Sequence, residues 1–134
     1  MPDIDQTAGA LPEAAKVPVG SLVFDVTTAG PPDGPPVLLL HGFPQTSWSW
    51  RHVIRALAKS GYRAIAVDQR GYSAQASPES VDEYAGHHLV KDMIGLLDAL
   101  DIPAVHLVGH DWGAAVAWQI AGHYPQRVRT LSAL

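Results

Sequence analysis

The residues with the clearest chemical potential form one short string, Val108-Gly109-His110-Asp111-Trp112-Gly113. It lies between an apolar run that reads as a buried strand and an Ala-rich run that reads as a helix. Two glycines at this spacing permit a sharp strand-to-helix reversal. The central side chain is then lifted above the sheet edge at a helix N-terminus, where the backbone dipole favours an anion. That central residue is Asp111. A carboxylate with an unperturbed pKa of about 3.9 is ionised at neutral pH and needs no base to become nucleophilic. Attack on an sp3 carbon, in an epoxide or an alkyl halide, would give an ester of Asp111 that water can cleave at the aspartyl carbonyl. A serine making the same displacement would form an ether, which resists hydrolysis. The string therefore predicts alkyl transfer to the protein rather than acyl transfer. An Asp at this position is also a common helix cap, and the glycine spacing alone would suit that role. The strand before it and a second motif upstream favour the elbow.

The second motif is His41-Gly42-Phe43-Pro44, directly after the run Val37-Leu38-Leu39-Leu40. In a strand–elbow–helix arrangement, a loop from an earlier strand supplies one oxyanion donor and the residue after the nucleophile supplies the other. These are the backbone N–H groups of Phe43 and Trp112. His41, Gly42, Gly109, His110 and Gly113 are then structural residues of the loop and elbow.

The elements that must position these groups follow from periodicity and punctuation. Residues 1–16 are polar and rich in small side chains and read as a flexible tail, with the domain running over 17–134. Val17 to Thr28 reads as two strands around a Gly20-Ser21 turn. Gly30 to Pro36 is a connection, because proline has no N–H to donate. Val37 to Leu40 suits a strand buried on both faces. Trp48 to Lys59 reads as a helix with Trp50, Val53, Ile54, Leu57 and Ala58 inward, stopped by Gly61. Arg63 to Asp68 is another central strand. Ser80 and Glu83 have the spacing of a capping box that would open a helix to about Leu100. Its inward face would be Val81, Tyr84, Met93, Ile94, Leu97 and Leu100. A strand over Val105 to Val108, a helix over Trp112 to Tyr124 and a strand from Val128 to Leu134 complete the order. A hairpin followed by alternating strands and helices implies an α/β fold: a mostly parallel sheet with helices on both faces.

Composition narrows the function. The 134 residues carry nine Lys plus Arg against thirteen Asp plus Glu, a formal net charge of -4. No basic stripe is available to neutralise phosphates, so a nucleic-acid partner is not expected. There is no cysteine, which excludes disulfides, thiolate metal sites and a cysteine nucleophile. The acidic start MPDIDQTAGALPEAAK lacks the apolar core of a secretory signal, and no apolar run is long enough to span a bilayer. A cytoplasmic protein without a membrane partner is the expectation. No histidine pair has the spacing of a helical metal site, and neither metal nor cofactor is called for.

Four segments carry a resemblance: HGFPQTSWSWR (His41 to Arg51), DQRGYS (Asp68 to Ser73), GHDWG (Gly109 to Gly113) and YPQRV (Tyr124 to Val128). Together they resemble the α/β-hydrolase superfamily, and within it the soluble epoxide hydrolases. The resemblance implies that Asp111 is the nucleophile and that the Phe43 and Trp112 amides form the oxyanion hole. It also implies that Phe43, Pro44 and Trp112 line the pocket for a small-molecule substrate. Haloalkane dehalogenases share the Asp-Trp pair but typically carry Asn where this chain has Phe43. Fluoroacetate dehalogenases typically carry Arg in place of Trp112. Both departures favour the epoxide over the alkyl halide. A dehalogenase or another α/β hydrolase is the alternative within the class, and a non-catalytic fragment is the alternative outside it.

The resemblance places a catalytic acid, a catalytic His and a lid after later strands, so the expected fold is the N-terminal part of a longer domain, truncated after the strand that follows the elbow. No histidine in the chain substitutes as general base. His123 lies twelve residues along the elbow helix, about 18 Å away, and His106 lies about 17 Å back along the strand. His87, His88 and His52 belong to flanking helices. Trp48 and Trp50 are expected to pack their helix. Arg70 is expected to pair with a nearby carboxylate, and Asp68 to be structural.

Overall fold

A computed structural model describes residues 11–134. Pro36–Leu40 (β3) carries four consecutive buried residues, Val37, Leu38, Leu39 and Leu40. Such a run must be covered on both faces. It lies between Arg63–Val67 (β4) and Val105–Gly109 (β5) and pairs with both in parallel. Leu22–Ala29 (β2) adds antiparallel to β4, and Glu13–Val19 (β1) adds antiparallel to β2. Val128–Ala133 (β6) pairs parallel with β5. The six strands run in the order β1-β2-β4-β3-β5-β6.

Alternation along the central strands divides the core in two. Val37, Leu39, Ala64 and Ala66 face one side and meet Trp50, Ile54 and Ala58, the last two on helix Arg51–Lys59 (α1). Leu38, Leu40, Ile65, Val67 and Leu107 face the other side. They are covered by Gly86–Ala99 (α2), through Val90, Met93, Leu96 and Leu97, and by Trp112–His123 (α3), through Val116, Ala117 and Ile120. Helices therefore cover both faces of a mostly parallel sheet. Because β3 precedes β4 on one side and β5 on the other, the chain reverses its direction of winding at β3. The ends of β3 and β5 open onto the crevice that such a switch point creates.

Three expectations need correction. The first strand begins at Glu13, so residues 13–16 of the expected tail are strand. Their partners are Asp25 to Thr28, with Lys16 Nζ 2.6 Å from Asp25 Oδ1. An exposed edge strand shows no apolar alternation, which hid it in the sequence. Residues 1–10 of that tail lie outside the described residues.

The second concerns α2, which starts at Gly86. Ser80 makes no side-chain cap bond, and Val81–Tyr84 form a separate 3-10 turn ended by Ala85 at ψ 150°. The cause is tertiary. Arg70 Nη1 donates to the Glu83 carbonyl at 2.7 Å and ties this turn to the loop after β4, while extended backbone at Ala85 separates it from the helix. Val81 is consequently exposed, and Val90 and Leu96 take the inward places.

In the third, α1 is preceded by a 3-10 turn, Ser47–Trp50. Trp50 is buried, but Trp48 and Val53 are exposed. Trp48 packs under Arg51 instead, whose guanidinium carbon sits 4.7 Å from the ring centroid.

Candidate active site

The turn between β5 and α3 is as sharp as the glycine spacing requires. Asp111 has φ 57° and ψ -124°, a left-handed conformation that L side chains rarely adopt. The neighbouring glycines are forced by contact. A Cβ on Gly109 would collide with the Gly113 carbonyl, and one on Gly113 with the carbonyls of Leu40 and His41. The helix start therefore sits directly against the end of β3. Asp111 makes no side-chain cap bond to α3, so its carboxylate does not serve as the helix cap. The side chain stands exposed.

The loop after β3 reaches the same point. The Phe43 N–H donates to Asp111 Oδ2 at 3.1 Å. A Cβ on Gly42 would lie 2.5 Å from the Asp111 Cβ and 2.9 Å from its Oδ2, so only glycine permits this approach. The Asp111 carboxyl is held below its ordinary value of 3.8, first by the Trp112 amide and then by the Phe43 amide, with nearby His110 adding to both. Phe43, Trp112 and Asp111 are thus brought together. His110 is exposed, with Nδ1 3.3 Å from the Gln45 side-chain oxygen, which in turn accepts the Gly42 N–H.

His41 is buried beneath this loop. Its Nδ1 lies 2.9 Å from the Gly42 carbonyl, and its Nε2 accepts the Gln69 N–H at 3.1 Å. The Gln69 side chain donates to the His41 carbonyl at 2.8 Å. Burial lowers the imidazole below its ordinary value of 6.5, against opposing contributions from the Gly42 carbonyl and Asp68. Asp68 accepts the Ser47 N–H at 2.7 Å and the Ser73 hydroxyl on its carbonyl. Its role is to join two loops.

A cavity of about 260 Å3 opens between the loop after β3 and the start of α3, lined by residues on either side of Asp111 rather than by Asp111 itself. Phe43 and Trp112 border it, and Pro44 does not. Tyr72, Tyr84, Leu89 and Val116 complete the wall. Sequence reasoning missed these four. No sequence pattern marks them; in the fold, Gly71 brings the loop so close that a Cβ there would lie 3.0 Å from the Tyr84 ring. Arg70 supports this wall from behind. Its Nε and Nη2 each donate to Asp92 at 2.8 Å, with both side chains under a tenth exposed. A larger hollow, about 360 Å3, lies by Thr27, Trp48, Arg51 and Arg55 and contains no residue of the elbow. His106 bonds Thr130, and His87 stacks on His88. Among the described residues, no three His, Asp or Glu side chains gather as a metal site, and no helix is long and apolar enough to cross a membrane.

Comparison with known proteins agrees with this geometry. The family model for the alpha/beta hydrolase fold matches residues 35–134. Epoxide hydrolase 2 of Siraitia grosvenorii is 52% identical over 98 residues, covering 73% of this chain and 31% of that protein. Epoxide hydrolase A of Mycobacterium tuberculosis is 46% identical over 109 residues, covering 81% of this chain and 34% of the relative. Among solved structures, epoxide hydrolase A of Mycobacterium thermoresistibile superposes with a TM-score of 0.88 at 39% identity, over 92% of this chain and 39% of its own. An epoxide hydrolase of Vigna radiata gives 0.87 at 43% identity, over 91% and 38%. The chain thus spans about a third of the length of these relatives. With the elbow, the strand order and these matches in agreement, the chain belongs to the α/β-hydrolase fold family.

Proposed function

We propose that this chain carries the nucleophilic half of an epoxide hydrolase, with Asp111 attacking an epoxide carbon. The observation that carries the reading is the single hydrogen bond from the Phe43 amide to Asp111 Oδ2, on a carboxylate that is exposed and does not cap its helix. Oδ2 is engaged, so Oδ1 is the attacking atom. Its lone pair forms a bond to the epoxide carbon as the ring C–O bond breaks, and the released alkoxide takes a proton from water. The product is a hydroxyalkyl ester whose carbonyl oxygen is Oδ2, already facing the Phe43 amide.

Hydrolysis reverses the esterification at a different atom. Water adds to the aspartyl carbonyl carbon, negative charge gathers on Oδ2, and the Phe43 and Trp112 amides are placed to stabilise it. Collapse releases a diol and restores the carboxylate. That second step needs a base to take a proton from water. His41 is committed to Gly42 and Gln69, and His106 to Thr130, so neither is free to be that base. The wall of Phe43, Tyr72, Tyr84, Leu89 and Trp112 suits an apolar, aryl-bearing epoxide.

Mass spectrometry after incubation with styrene oxide tests the reading. The expected result is one adduct, mapped to Asp111, that accumulates without turnover and is absent in Asp111→Asn. Adducts scattered over histidines and other carboxylates, or none on a folded chain, would overturn it. The same ester from an alkyl chloride at a faster rate would favour the dehalogenase.

A further inference from the structure

The Gly42 carbonyl and the Phe43 N–H are the two ends of one planar peptide unit. Whatever fixes the oxygen therefore aims the hydrogen. Two donors meet at that oxygen: the Gln45 N–H at 2.9 Å and His41 Nδ1, also at 2.9 Å. The tautomer of His41 follows from its other nitrogen. The Gln69 backbone N–H can only donate, and it lies 3.1 Å from Nε2, so Nε2 must present its lone pair. The proton is then on Nδ1 and donates to Gly42.

We propose that His41, held as the neutral Nδ1–H tautomer, is the positioning residue that keeps the Phe43 amide on the Asp111 carboxylate, and that its protonation, by driving the Gln69 amide off Nε2, shifts the ring on which that amide's peptide unit is anchored. A proton on Nε2 would set two donors head to head. The Gln69 amide must then withdraw, and with it the Gln69 side chain that holds the His41 carbonyl at 2.8 Å. The ring, 2% exposed, has no water to turn to. Its surroundings do little to welcome the charge. Asp68 is the carboxylate whose field reaches it, and Tyr72 meets it edge-on with ring centroids 4.6 Å apart. Arg70, on the loop that bonds it, is already neutralised by Asp92. Asp111 and His110 stand across Gly42, and Tyr84 lies on the shared cavity. Burial accordingly depresses the imidazole below 6.5, which keeps the neutral form in place at physiological pH.

The catalytic consequence rests on Asp111 being the nucleophile, but the coupling itself is measurable without substrate. Long-range proton–nitrogen NMR of the labelled chain reads the His41 tautomer, and amide spectra follow Phe43 and Gln69 from about pH 8 to about pH 4.5. The expected result is a protonated Nδ1 with bare Nε2 at neutral pH. On acidification the His41 ring, the Gln69 amide and the Phe43 amide then move on one curve with a midpoint below 6.5. His41→Gln keeps an acceptor for Gln69 but cannot titrate, so its Phe43 amide should stay still over that range. A proton on Nε2 at neutral pH would overturn the inference. So would a Phe43 amide that ignores His41, or one that titrates unchanged in His41→Gln. If that variant fails to fold, the tautomer and the shared curve of the unaltered chain still decide. Styrene oxide labelling is independent of this result, so the failure of one reading leaves the other standing or falling by its own measurement.

Discussion

Arg70 and Asp92, one on the loop after β4 and the other on α2, face each other through two parallel hydrogen bonds of 2.8 Å. The pair lies behind the cavity wall with almost no solvent access. The Asp92 bond holds the Arg70 guanidinium even more firmly protonated than usual, and its remaining nitrogen fixes Glu83. Removing one partner leaves a buried charge without compensation. Arg70→Met should therefore cost about 3 to 5 kcal/mol in urea unfolding, whereas Arg70→Met combined with Asp92→Leu should recover most of it. A loss below about 1 kcal/mol in the single variant would mean that the pair is solvated.

The close approach at Gly42 makes a second, local prediction. In Gly42→Ala the new methyl group has nowhere to go beside the Asp111 side chain, so the Phe43 amide must retreat. The Asp111 pKa should rise back toward 3.8, read by carboxyl carbon NMR, and alkylation should slow by about tenfold or more. An unchanged carboxyl pKa would show that the Trp112 amide suffices.

Asp111 holds a backbone conformation suited to glycine, at φ 57° and ψ -124°. Asp111→Gly should release strain and raise stability by about 1 to 3 kcal/mol while abolishing adduct formation. Asp111→Asn, which keeps the Cβ, should abolish the adduct without that gain. Thermal unfolding of the two variants side by side distinguishes strain from charge.

The pH dependence of Asp111 has a definite sign. Its folded pKa lies below the ordinary 3.8 because the Trp112 and Phe43 amides favour the anion. The stabilisation that it contributes is complete above that ordinary value and fades as pH falls through the folded one. Asp111→Asn should therefore narrow the stability difference between neutral and acid conditions in that low window, while the pH dependence of stability from neutral down to about pH 5 stays the same in both chains. Unfolding curves of both chains across that interval provide the check.

Much of the architecture was legible because it rests on local chemistry. The uninterrupted Val37-Leu38-Leu39-Leu40 run required covering on both sides, and the glycines around Asp111 required the bend. What escaped the sequence depends on contacts between distant segments. The turn before α2 is tied by its Glu83 carbonyl to Arg70, thirteen residues earlier, and the helix itself starts only at Gly86. Tyr72 and Tyr84 became cavity walls for the same reason, since no periodic pattern marks a loop folded back over a crevice. Pro44, placed at the pocket by the resemblance, is exposed and does not border the cavity. Trp48, expected to pack inside its helix, instead shelters under Arg51 at the surface.

The amide of Asp111 itself donates to the Leu134 carbonyl at 3.1 Å, and the Leu134 N–H returns to the Gly109 carbonyl at 2.9 Å. Asp111 is therefore moored through its backbone to the residue that follows β6, as well as through its carboxylate to the loop after β3. Tugging or fraying along that flank would be transmitted to the bend within a single linkage, so the steadiness of Asp111 depends on how firmly the end of β6 is held against β5.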